Sequence, residues 1–157
     1  MNPGEAVMQI YEVMDRLEKC GFAVMIEPMT SRDLVAFAQV VKTSGLHELP
    51  PDYQEFLKFS NGLVLDDAVF FSTDSIISCD DDSNFADFIN SNKSYRSVRG
   101  FKDILVLGVG DHDVFVYDVK RRLYVILDRE THEEIDRFGK FADFLASLID
   151  ERRDSMA

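Results

Sequence analysis

Two cysteines in 157 residues, Cys20 and Cys79, are too few for a disulfide framework. They lie far apart and neither has a close Cys or His partner, which excludes a structural zinc site and leaves buried, reduced thiols as the expectation. Tryptophan is absent and proline occurs only four times, whereas phenylalanine occurs thirteen times, so the core is expected to be rich in Phe. Cations are also scarce. The 17 Lys and Arg stand against 29 Asp and Glu, a formal net charge of -12. Such a field repels phosphate backbones and anionic lipid, which argues against nucleic acid and membrane as partners and for a basic protein surface. No apolar run approaches the roughly 20 residues of a membrane helix. The opening residues are polar and acidic, unlike the basic and then apolar start of a secretory signal. A cytoplasmic protein in a reducing compartment is expected.

The patterns that announce catalysis are missing as well. There is no Gly-x-Ser-x-Gly elbow and no phosphate-binding glycine loop; Gly108-Val109-Gly110 lacks a third glycine and leads into Asp-His-Asp instead of a helix. Asp66, Asp67, Asp74, Asp80, Asp81 and Asp82 resemble a calcium loop in composition, but the turn glycine and the terminal bidentate glutamate are absent. Asp111-His112-Asp113 is the most tempting catalytic cluster. Adjacent side chains on an extended chain point to opposite faces, however, so a turn between two strands is the favoured reading. Asp128, Glu130, His132, Glu134 and Asp136 alternate as on a strand face, yet Arg129 to Glu133 reads as a solvated hairpin connection. His47 has no visible partner and is assigned to the surface. No catalytic residue, cofactor or metal is expected.

What is present is an order of helices, then sheet, then helix. Residues 5 to 20 carry Met8 or Ile10, Val13, Met14, Leu17 and Cys20 at helical spacing, ended by Gly21. Phe22 to Ile26 is a strand or an extended link. Thr30 or Ser31 caps a second helix with Leu34, Phe37, Val40 and Val41 on its face. Short extended pieces follow residue 62, with Asp66-Asp67 as a turn and Ile76-Ile77 as a further pairing segment. Asp80 to Ser83 caps a helix from about Asn84 to Asn90, and Ser91 to Gly100 reads as a loop. Ile104 to Leu107, Asp113 to Tyr117 and Leu123 to Leu127 form an antiparallel meander, with Lys120-Arg121-Arg122 as its second turn and Glu134 to Arg137 as an edge strand. Phe141, Phe144, Leu145, Leu148 and Ile149 return to helical spacing. The expected fold is α+β: a single domain over 1–157, mainly antiparallel sheet covered by helices, with 1–29 an N-terminal elaboration and 151–157 a frayed tail.

Leu49 to Gly62 is the most complete local instruction in the chain. Pro50 and Pro51 suit the pre-helical and first helical positions, Tyr53, Phe56 and Leu57 define a buried face, and Asn61-Gly62 stops the helix. This Leu49-Pro50-x-x-Tyr53-x-x-Phe56-Leu57 run closing in Asn61-Gly62 resembles the hallmark of the SUKH superfamily, which groups the yeast cell-wall assembly regulators with many bacterial toxin-immunity proteins. Physically, these residues read first as packing and turn residues.

The resemblance implies a non-enzymatic protein-binding module, an immunity protein that binds and neutralises a cognate toxin. The alternative is an intracellular regulatory scaffold binding cellular proteins, and a third class is an enzyme using Asp111 and His112. Partner recognition is assigned to Asp66, Asp67, Asp74, Asp80, Asp81, Asp82, Asp111 and Asp113, where a docking patch for a basic surface and a merely solubilising surface fit the charge equally. Nothing in the pattern specifies an oligomeric state.

Overall fold

The computed structural model describes residues 3–73, 87–98 and 100–156. Its first helix, α1 (Pro3–Cys20), buries Ile10, Val13, Met14 and Leu17 and ends at Gly21, whose φ of 80° no β-carbon would favour. The link that follows contains strand β1 (Ala23–Met25). Helix α2 (Ser31–Thr43) starts as its sequence directs: the Thr30 hydroxyl accepts the Asp33 N–H at 3.1 Å. Its buried stripe is Leu34, Phe37 and Val41, while Val40 is 48 % exposed.

Helix α3 (Pro51–Leu57) has Pro50 as its N-cap and buries Tyr53, Phe56 and Leu57 completely. It stops earlier than the Asn61-Gly62 signal suggested. Tight three-residue closures, Lys58 N–H to Glu55 O and Phe59 N–H to Phe56 O, end it, and the chain then turns inward. The buried Ser60 hydroxyl accepts the Ile26 N–H at 2.8 Å, and the Asn61 side chain accepts the Thr73 N–H at 2.9 Å. Gly62 has φ of 102°, and a β-carbon there would lie 2.9 Å from Phe70 O, so the pair steers the chain into the sheet.

Strands β2 (Leu63–Leu65), β3 (Ala68–Phe70), β4 (Ile104–Val109), β5 (Asp113–Asp118), β6 (Leu123–Asp128) and β7 (Glu134–Phe138) complete a seven-stranded antiparallel sheet in the order β1-β2-β3-β4-β5-β6-β7. The predicted meander is its centre. In register, Leu105 faces Tyr117, Tyr117 faces Tyr124 and Tyr124 faces Phe138, whereas the next row runs Val106, Val116, Val125 and Arg137. The first row meets the last helix, α5 (Phe141–Met156): Tyr124 lies 5.3 Å from Phe141 and Phe138 lies 5.7 Å from Phe144. Val106, Val116 and Val125 of the second row are buried too. Both sheet faces are therefore covered at the centre, which explains why β4 reads as a continuous apolar run instead of an alternating one.

Helix α4 (Phe88–Arg96) corrects two expectations. Its cap is Asp87, which accepts the Asn90 N–H at 3.0 Å, and it continues through Ser91 to Arg96, where a loop was expected. The Ile76-Ile77 pairing segment and the Asp80 to Ser83 cap lie outside the described residues. The last helix also runs on through Met156 across the expected tail, with Arg152 buried at 5 % exposure.

Candidate protein-docking site at the hairpin tips

In an antiparallel sheet laid out in sequence order, alternate turns fall at the same end. The β2–β3, β4–β5 and β6–β7 connections thus gather Asp66-Asp67, Gly110 to His112, and Arg129 to Glu133. The last turns of α5 reach the same end, because Arg152 Nε donates to Asp67 Oδ1 at 3.0 Å. Asp66 takes the left-handed conformation at the first tip, with φ of 55°. Asp67 is half-buried and joins two tips, since its other oxygen accepts the Asp111 N–H at 3.0 Å. Gly110 permits this approach: a β-carbon there would stand 3.0 Å from that oxygen. Arg129 joins the third tip to the second, its N–H donating to His112 O at 2.9 Å and its Nη1 to Gly110 O at 2.8 Å.

The charge balance at this end is strongly acidic. Asp66, Asp67, Asp111, Asp113, Asp128, Glu130, Glu133 and Glu151 are set against Arg129, Arg152 and Arg153, the last already paired with Asp150. Arg152 also lies under the face of Phe115, 5.9 Å from the ring centroid. Asp113 and Asp128 stand directly opposite in the β5–β6 register, an arrangement that is destabilising for like charges. Their carboxyls shift in opposite directions, each through its other neighbours. Burial, then Glu151 and Asp67, push the Asp113 carboxyl above its ordinary range against the opposing pull of Arg152 and His112. The Asp128 carboxylate is held below its range by hydrogen bonds from the Thr131 and Glu130 N–H groups.

Of the proposed recognition residues, the structure brings together Asp66, Asp67, Asp111 and Asp113. Asp74, Asp80, Asp81 and Asp82 lie outside the described residues. Sequence reading missed Asp128, Glu151, Arg129 and Arg152 as members of this surface. The signal was available in the meander itself, whose topology fixes which tips are neighbours. Asp111 and His112 do form a turn, with Asp113 opening β5, and the exposed His112 ring has no hydrogen-bond partner among the described residues. Among those residues, no group of three acidic, His or Cys side chains is placed to hold a metal ion. His47 lies at the surface as assigned but does have partners: its Nε2 lies 2.9 Å from Lys102 O and 3.8 Å from Asp103.

The Leu49 to Gly62 motif sits away from the tips, in the core. Tyr53 packs edge-on against Phe141 at 5.1 Å, and Phe56 lies 5.0 Å from the same ring. Asp52 is the polar tie beneath them. It accepts the Tyr53 N–H at 3.1 Å, the Phe141 N–H at 2.8 Å and the Tyr124 hydroxyl, so one carboxylate joins α3, β6 and the start of α5.

A family model described as the SMI1 / KNR4 family (SUKH-1) matches residues 28–147, well over half of the chain. The chain belongs to the SUKH-1 family. No match arises among curated proteins. The SUKH-1 span takes in α2, α3, β2 through β7, α4 and the first part of α5. It leaves out α1 and β1, although β1 pairs with β2 and α1 packs against α3 and α5. Members of SUKH-1 include toxin-immunity and regulator-type domains, and no helix among the described residues is long and apolar enough to cross a membrane.

Proposed function

We propose that this chain is a non-catalytic protein-binding module, an immunity protein that neutralises a cognate toxin by docking its acidic hairpin tips on a basic surface of that toxin. The observation that carries this reading is the convergence of three acidic turns and the end of α5 on one end of the sheet, with too few cations to balance them. Acidic tips held by the Asp67–Asp111 and Arg129–Gly110 bonds are ordered before contact, so less freedom is lost on docking. Their field accelerates encounter with a basic partner and contests a surface that such a partner uses for an anionic substrate. SUKH-1 membership supplies the immunity part of the proposal; the charge supplies only the sign of the partner.

The test pairs the protein with a toxin encoded beside it. Asp111→Lys and Glu130→Lys alter exposed side chains that make no hydrogen bond among the described residues. The double variant is expected to fold normally and to lose protection of cells expressing the toxin. Full protection by the double variant would reject the tip surface. Association with cellular proteins and with no toxin would favour a regulatory scaffold.

A further inference from the structure

The fold treats its strand edges unequally. Beyond its pairing with β3, β4 has a partial edge, and there the buried Asn92 of α4 stands in for a strand: its Nδ2 donates to Val106 O at 2.8 Å and its Oδ1 accepts the Val106 N–H at 2.7 Å. Among the described residues, the outer edge of β7 has no such cover. It is the last strand of the sheet and, among the described residues, is paired on one side only, to β6, in a register that skips Ile135. Four of its five residues are exposed, with Ile135 at 57 %, and no proline interrupts it.

We propose that the β7 edge is a strand-addition site for an extended segment of a protein partner in which basic and apolar residues alternate. Two observations choose this occupant over a second copy of the chain. When the β7 edges of two copies pair with each other the sheet is two-fold symmetric, so residue i faces residue S−i with S even. Centring the axis on Asp136 sets Asp136 against Asp136; centring it on Arg137 sets Arg137 against Arg137. Centring it on Ile135 sets Glu134 against Asp136 twice. Each of these three registers, which overlap the strand most fully, places like charges opposite one another. A partner with an apolar residue facing Ile135 and a Lys or Arg facing Asp136 meets no such conflict.

Asp136 also makes the site selective. Glu134 is held by Arg121 and Arg137, but Asp136 has no ion pair among the described residues and its Oδ1 accepts the N–H of Arg137 at 2.8 Å. In the free protein this carboxylate occupies a donor of the edge strand. A basic side chain arriving opposite draws the carboxylate away and frees the Arg137 N–H for an inter-strand bond. Neutral strands leave the donor occupied, in keeping with the general guarding of edges by charge. The proposal rests on the reading of the chain as a protein-binding module, but on a different surface from the acidic tips.

The test uses the full chain, isotopically labelled, with a nine-residue capped peptide alternating Lys and Val. The control is the same peptide with alternating L and D residues, equal in charge and unable to pair as a regular strand. The expected result is slowed amide exchange at Arg137 with the L peptide, at least tenfold weaker binding of the control, and at least tenfold weaker binding by an Arg137→Pro variant. Equal binding of both peptides would overturn the proposal. So would protection confined to Asp66, Asp67 and Asp111 to Asp113, or a dimer of the free chain that buries β7. Peptide protection at β7 with unchanged behaviour of the Asp111→Lys, Glu130→Lys variant would retain the edge site while removing the tip surface.

Discussion

Single polar side chains decide where this fold is vulnerable. Asn92 is the clearest case, because its amide satisfies both backbone groups of Val106 in a buried setting. Asn92→Ala leaves a donor and an acceptor without partners and is expected to cost about 2 to 3 kcal/mol, or roughly 4 to 12 °C in a thermal melt. Asp113 acts in the opposite direction. Its folded pKa is raised, first by burial, so its contribution to stability is full below the ordinary carboxyl range and is lost as pH rises through the raised value. Asp113→Asn is accordingly expected to melt higher than the parent at pH 7, with the gap closing below about pH 4. A gap that persists in acid would remove the electrostatic cause. These roles were hidden in the sequence for a physical reason: Asn92 sits where an apolar residue completes a helical stripe, and the loop assignment of Ser91 to Gly100 followed from its polarity.

At the scale of elements, the legible parts are those whose instructions are local. Thr30 caps α2, Pro50 and Pro51 open α3, and the turns at Asp66-Asp67, Asp111-His112 and Lys120-Arg121-Arg122 fall where side-chain preferences put them. The end of α3 and the course of α4 were less legible because tertiary partners set them: Ser60 turns inward to Ile26, and α4 follows the uncovered edge of β4. Gly108 belongs to this scale. It follows the irregularity between Val106 and Gly108 in the β4–β5 pairing, and a β-carbon would stand 2.4 Å from Val69 O on the neighbouring strand. Gly108→Ala is expected to force β3 and β4 apart at a cost of at least about 2 kcal/mol, visible as faster amide exchange in both strands. Unchanged exchange would show that the strands shift without penalty.

For the molecule as a whole, the helix-sheet-helix order and the Phe-rich core follow from periodicity and composition. Phe70, Phe115, Phe141 and Phe144 meet at the centre, with the Phe70 and Phe115 rings stacked at 5.3 Å. The acidic end of the sheet was half legible. Net charge indicated its sign, and Asp66, Asp67, Asp111 and Asp113 were identifiable as loop acids. Their neighbours Asp128, Glu151, Arg129 and Arg152 became visible only when sheet order placed alternate tips together. Arg152 was set aside with the C-terminal residues, although the Asp67 carboxylate keeps α5 helical contact with that end. The central claim is that this assembled end, and not charge spread over the whole surface, recognises the partner. Under the proposed immunity role, a calorimetric titration of a cognate toxin against the parent and the Asp111→Lys, Glu130→Lys variant, each at low and high salt, tests it most directly. The account predicts an affinity loss of at least about tenfold, near 1.4 kcal/mol, with a reduced salt dependence. Equal affinity and equal salt dependence in the two proteins would contradict it.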